Sequence, residues 1–260
     1  MDSEGARMKR TTLVMMIVLA VLLTVPEREV YARPEPGKSE YVLILHGMGR
    51  TRFSMRKVAR FLEEKGYKAI NLSYPSTSEP IPVIADTYVR QAIESCVKQG
   101  ADKVHVVTHS LGGIVIRQYL QNNSLPEGSR VVMLGPPNKG SEVADVLMNS
   151  FIYKWLMGDA GQSLGTDDDS YVNMLGPVEE DIGIIAGTRT VDPVSSLLIP
   201  GPDDGKVSVD NTMLDEMADF ICIPKSHPFM ASSRTIMHQI EYFLEHGRFD
   251  KTAITNPDLS

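Results

Sequence analysis

The stretch Val104-His105-Val106-Val107-Thr108-His109-Ser110-Leu111-Gly112-Gly113-Ile114-Val115-Ile116-Arg117 opens as a run of β-branched residues, tightens at Ser110 and resumes with apolar residues at helical spacing. That order predicts a strand, a sharp turn and a helix. A serine at the point of such a turn projects its hydroxyl clear of the backbone. The next amide, on Leu111, falls at a helix start, where N–H groups lack intrahelical acceptors. The same residues also suit an ordinary strand-to-helix turn, with Gly112 and Gly113 serving close packing. The flanking chain has to separate the two readings.

Outward from this turn, strand-like and helix-like segments alternate from Ser39 onward, the pattern of βαβ units. Strands are predicted at Tyr41–Leu45, Tyr67–Leu72, Lys103–Val107, Arg130–Leu134, Ile182–Ala186 and Phe220–Ile223. Several are continuous apolar runs, as expected of strands covered on both faces. Helices are predicted over Ser54–Lys65, Pro82–Gln99, the residues after Ser110, and Phe229–His246. The fold class is therefore α/β, a mainly parallel central sheet with helices on both faces, spanning residues 39–247 and followed by a polar tail at 248–260.

The chain has 260 residues, 42% hydrophobic and 23% charged, enough for one sizeable core. A net charge of −7 gives no overall basic footprint, so neither nucleic acid nor another polyanion is an expected partner. Cys96 and Cys222 are expected as two buried, unpaired thiols, since two cysteines do not make a disulfide framework.

Residues 1–32 stand apart. Lys9 and Arg10 precede the apolar run Leu13–Val25, and Val30-Tyr31-Ala32 offers small residues at signal-peptidase spacing. As a helix that run is about 20 Å long, short of a hydrocarbon core of roughly 30 Å. A cleaved leader and an exported protein are expected, with a membrane anchor the alternative. Met8 also serves as a candidate start.

Between residues 141 and 181 the alternation stops. The aromatic cluster Phe151-Ile152-Tyr153-Lys154-Trp155-Leu156-Met157 reads either as a lid-like insertion over a pocket or as side chains packed on the sheet. A lid of this composition would also suit association with a membrane surface. Asp167-Asp168-Asp169 reads as a solvated turn, because consecutive carboxylates cannot converge on one ion.

Nucleophilic serine chemistry needs a base, a carboxylate to orient it, and donors for an oxyanion. Each has a candidate at the end of a predicted strand, where sites gather in open α/β sheets. His227 combines a loop position with a preceding strand. His105 lies inside a strand, His238 and His246 belong to the last helix, and His109 should point away from the Ser110 hydroxyl. Asp204 is the candidate acid, with Asp203 its main rival and Asp192 a further one. The backbone amides of Met48 and Leu111 are the candidate oxyanion donors, Met48 lying between two glycines that let a substrate oxygen approach. His46, which follows the first strand, has either a structural or a pocket-lining role, and Trp155 is a further candidate pocket residue.

With these residues in place the chain resembles the α/β-hydrolase superfamily, in its lipase and esterase branch with a short His-Gly loop. The resemblance rests on His46-Gly47-Met48-Gly49, on Thr108-His109-Ser110-Leu111-Gly112, on the order Ser110, Asp204, His227, and on Gly135-Pro136-Pro137-Asn138-Lys139-Gly140-Ser141. The family usually has glycine where this chain has Thr108. The resemblance implies attack of Ser110 on a small-molecule or lipid ester, an acyl-enzyme, and no cofactor or metal. An acyltransferase with the same triad and a catalytically silent binding protein are the competing readings.

Overall fold

The computed structural model describes residues 39–143, 164–167 and 170–252. The leader, Trp155 with its aromatic cluster, Asp168, Asp169 and the end of the tail lie outside the described residues. Six strands, β1 (Glu40–Leu45), β2 (Lys68–Asn71), β3 (Lys103–His109), β4 (Arg130–Leu134), β5 (Asp181–Gly187) and β6 (Asp219–Ile223), form one sheet in the order β2-β1-β3-β4-β5-β6. Every pairing is parallel. The expected α/β class is thus observed.

Alternate residues of each strand feed two cores, which is why the strands read as unbroken apolar runs. On one face Leu43, Leu45, Val104, Val106, Val131 and Met133 pack with the helices Arg90–Lys98 and Leu111–Leu120. On the other, Val42, Ile44, Val107, Val132 and Leu134 pack with Arg56–Glu64 and Arg234–His246. We label these four helices in chain order α1 (Arg56–Glu64), α2 (Arg90–Lys98), α3 (Leu111–Leu120) and α4 (Arg234–His246).

Three boundaries differ from those read off the sequence. The segment Ile81–Lys98 is helical throughout, but its middle, Ile84–Val89, is wound as a π-helix. The predicted last helix is split. His227–Ser232 forms a 3₁₀ turn, and α4 starts afresh after Ser233, whose side chain accepts from the Ile236 amide. A serine N-cap restarts the hydrogen-bond ladder there, which apolar spacing alone does not reveal. Finally, β3 runs two residues further than expected, to His109, and delivers the chain directly to Ser110.

The cysteines need one correction. Both are free and Cys96 is buried, but Cys222 is exposed. It lies on the edge strand β6, where Ile221 and Ile223 face the core and Cys222 faces the opposite side.

Candidate active site

Ser110 has φ 54° and ψ −124°, the only non-glycine residue with positive φ among the described residues. Such a conformation costs on the order of 1–3 kcal/mol and persists only where the surroundings impose it. Here the Ser110 amide donates to Leu134 O at 2.9 Å, and the Gly113 amide donates to Ser110 O at 2.9 Å. The turn is also pressed against its neighbours. A Cβ on Gly112 would lie 2.9 Å from Leu45 Cβ, and one on Gly113 would lie 2.8 Å from Pro136 Cβ and 3.5 Å from Thr108 Oγ1. The bulk that Thr108 adds is therefore accommodated by the absence of a side chain at Gly113.

His227 and Asp204 meet. Asp204 Oδ2 lies 2.6 Å from His227 Nδ1, and Asp204 Oδ1 accepts the amides of Lys206 and Val207, each at 3.0 Å. The His227 amide in turn donates to Asp204 O at 2.9 Å, so the two residues are held at backbone and side chain alike. Both are buried. A carboxylate on Nδ1 keeps the proton there and leaves Nε2 as the acceptor, the tautomer a general base requires. Gly135 makes room for the pair, since a Cβ there would sit 2.9 Å from Asp204 Oδ2 and 3.1 Å from His227 Nδ1. Gly135 directly follows Leu134, the acceptor of the Ser110 amide, and this joins the elbow to the His–Asp pair.

The rival acids are engaged elsewhere. Asp203 accepts from the Gly205 amide at 2.7 Å and from the Ser196 hydroxyl. Asp192 caps the short helix Pro193–Ser196 through the Ser195 amide at 3.1 Å and pairs with Lys206 at 3.1 Å. The loop from Gly135 to Ser141 is tied to the segment that follows the acid and to α3. Asn138 Nδ2 donates to Thr212 O at 2.8 Å, Ser141 Oγ donates to Lys206 O at 2.7 Å, and Arg117 of α3 donates to Asn138 O at 2.9 Å.

His109, next to the nucleophile candidate, is engaged with His227. Its Nε2 donates to His227 O at 3.0 Å, and its ring lies against the His227 ring with centroids 4.7 Å apart. Burial, with the His227 charge adding to it, pushes the His109 pKa down to about 3.

The loop His46-Gly47-Met48-Gly49 abuts the elbow. A Cβ on Gly47 would lie 3.1 Å from Ser110 Cβ and 3.1 Å from His109 Nδ1. The amides of Met48 and Leu111, the candidate oxyanion donors, have no hydrogen-bond acceptor among the described residues. Of the two roles open to His46, the structure favours the structural one. Its side chain is fully buried, stacked on Tyr74 at 4.1 Å and 8° between planes, with Nδ1 donating to Gly47 O at 2.9 Å. It holds the loop from behind and offers no surface to a pocket. Trp155, the other pocket candidate, lies outside the described residues.

Sequence reasoning missed two residues here. The Tyr74 hydroxyl donates to His46 O, and Ser76 Oγ accepts the Gly49 amide at 3.2 Å, so the turn after β2 clamps the loop that carries Met48. In sequence, Tyr74-Pro75 reads only as the turn that closes the predicted strand Tyr67–Leu72. Tyr74→Phe keeps the ring stack but leaves a buried carbonyl unpaired, at about 1–3 kcal/mol. The expected outcome is a fall in thermal midpoint together with a lower kcat at nearly unchanged KM. An unchanged kcat would show that the clamp does not set the position of Met48.

Three buried histidines make acid stability predictable. Desolvation lowers the pKa of His46, His105 and His109. Arg130 N donates to His105 Nδ1 at 3.0 Å, a bond that a doubly protonated ring would lose. Below the ordinary histidine pKa of about 6.5 the unfolded chain takes up protons that the native chain refuses, so stability falls as pH drops. Each such group contributes a slope of up to about 1.4 kcal/mol per pH unit. Urea midpoints at pH 7, 6 and 5 should decrease steadily, and His105→Asn should flatten the slope, by at most about one proton. A midpoint that stayed constant over this range would rule out neutral burial.

With this geometry in place, comparison with known proteins gives a consistent result. The model of the alpha/beta hydrolase family matches residues 42–232. No curated protein sequence matches the chain. Among solved structures, the mature lipase BlEst2 of Bacillus licheniformis superposes with a TM-score of 0.64 at 19% identity, covering 82% of this chain and 94% of that one. Phospholipase PlaB of Legionella pneumophila, in complex with thio-NAD, gives a TM-score of 0.60 at 19% identity over 79% of this chain and 58% of that one. The lin2722 product of Listeria innocua gives 0.56 at 15% identity over 82% and 99%.

Proposed function

The chain belongs to the alpha/beta hydrolase family, and from that premise we propose that it is an exported serine hydrolase that cleaves carboxylic esters through an acyl-enzyme on Ser110. In this reading His227 Nε2 takes the hydroxyl proton as Ser110 Oγ adds to the ester carbonyl. The Met48 and Leu111 amides stabilise the oxyanion, and Asp204 stabilises the imidazolium. The imidazolium then protonates the departing alcohol. Water, deprotonated by the same histidine, then adds to the acyl carbonyl; the bond to Ser110 Oγ breaks, the imidazolium returns its proton to that oxygen, and the acid is released. The observation that carries the proposal is the 2.6 Å Asp204–His227 contact, together with the strained backbone of Ser110, the only non-glycine residue with positive φ among the described residues. Superposition on proteins named as a lipase and a phospholipase supports an ester, small or lipid, as substrate. Export rests on the leader read from residues 1–32. A fluorophosphonate probe tests the reading, since the adduct should map to the peptide bearing Ser110. Labelling that persists in the Ser110→Ala protein would sink it.

A further inference from the structure

Immediately after the Met48 loop, residues 50–60 carry Arg50, Arg52, Arg56, Lys57 and Arg60 and no acidic residue, in a chain whose net charge is −7. All five are exposed, and none forms an ion pair among the described residues. Their placement is regular. On the 3₁₀ turn Arg52–Met55 and the helix α1 that continues it, Met55, Val58, Ala59 and Leu62 are buried. Phe53, Arg56, Lys57 and Arg60 fall on the opposite face, at the i, i+3, i+4, i+7 spacing of a single stripe. The acids of this helix, Glu63 and Glu64, are at its far end.

The arrangement does nothing for the fold. Cations in the first turns of a helix oppose its dipole, and the first turn of α1 holds no acid to offset them. Phe53 is 67% exposed with the Arg52 guanidinium 5.7 Å from its ring centre. The turn that bears it packs beside the turn His227–Ser232, on which Phe229 is 54% exposed. Arg50 is near enough to the elbow that its charge helps keep His109 neutral. A cationic face and two bare aromatic rings thus adjoin the residues of the candidate site.

We propose that this face, Phe53, Arg56, Lys57 and Arg60 with Arg50 and Arg52 beside them, docks the protein on an anionic lipid surface. The cations meet lipid phosphates, and Phe53 enters the interface, where aromatic rings are at home. A soluble polyanion would use the cations and leave the rings exposed, and the rings are what single out a bilayer. The acidic average of the chain hides the patch, because net charge sums over faces that a membrane never touches together. Binding in this way does not depend on the ester-hydrolase reading, although for such an enzyme it would bring lipid esters to the site.

The test uses full-length Ser110→Ala protein with vesicles of phosphatidylcholine alone or mixed equally with phosphatidylglycerol, read by co-sedimentation at low and high salt. Binding is expected only to the anionic vesicles and should weaken with salt. Each cation near such a surface contributes about fivefold to partitioning. The combined variant Arg52→Gln, Arg56→Gln, Lys57→Gln should therefore bind about 100-fold more weakly, with its circular dichroism spectrum unchanged, and Phe53→Ala should also bind more weakly. Equal binding to both vesicle types, or binding to neither, would overturn the proposal. So would undiminished binding by the combined variant. If inorganic polyphosphate displaces the protein and Phe53→Ala has no effect, the partner is a soluble polyanion and the proposal is likewise wrong. Hydrolysis of a water-soluble ester by the chain with Ser110 intact is scored separately, so a failed enzyme reading cannot be mistaken for failed docking.

Discussion

Ser110→Ala is expected to lower kcat for a p-nitrophenyl ester by about a millionfold, the loss typical of removing the nucleophile of a serine triad. KM should change little. The substitution removes one oxygen, and alanine keeps the backbone at φ 54° because the constraints on that conformation are the Leu134 and Gly113 hydrogen bonds and the packing at Gly112. The thermal midpoint should stay near that of the parent, so lost activity cannot be ascribed to unfolding. A loss of less than tenfold would mean that another group attacks the ester, or that the turnover comes from a contaminant.

The second large effect is expected at Asp204. Asp204→Asn should lower kcat by about 10⁴-fold, the order seen when a triad carboxylate becomes an amide. The structure gives the reason. Oδ1 accepts the Lys206 and Val207 amides, so an asparagine keeps its oxygen there and turns its NH₂ toward His227 Nδ1. Nδ1 must then accept, the ring proton moves to Nε2, and the histidine can no longer take the serine proton. Asp203→Asn is the informative control. Its carboxylate serves the Gly205 amide and the Ser196 hydroxyl, and its loss should reduce stability more than turnover. Equal kinetic losses in the two variants would refute the assignment of Asp204 as the orienting acid.

Much of this was legible in the chain. The strands announced themselves because a parallel sheet covered on both faces needs unbroken apolar runs, as in Tyr41–Leu45 and Arg130–Leu134. The elbow was legible because strand, serine and helix are consecutive. Asp204 and His227 were legible as candidates from their positions after β5 and β6, but Asp203 and Asp192 satisfied the same description. The cationic stripe of α1 is visible as letters, yet whether those letters are paired or bare is not a property of the letters.

By itself, then, the sequence determined the alternation of elements, the parallel sheet class, the turn at Ser110 and a short list of partners, all of which follow from periodicity and turn chemistry within a few residues. The tertiary structure decided which aspartate meets His227, that His46 lies behind its loop, that Tyr74 clamps that loop, and that Cys222 faces outward. Those outcomes depend on segments far apart in sequence packing within a few ångströms of one another. Burial and hydrogen-bond pairing arise only from that packing, and no local pattern encodes them.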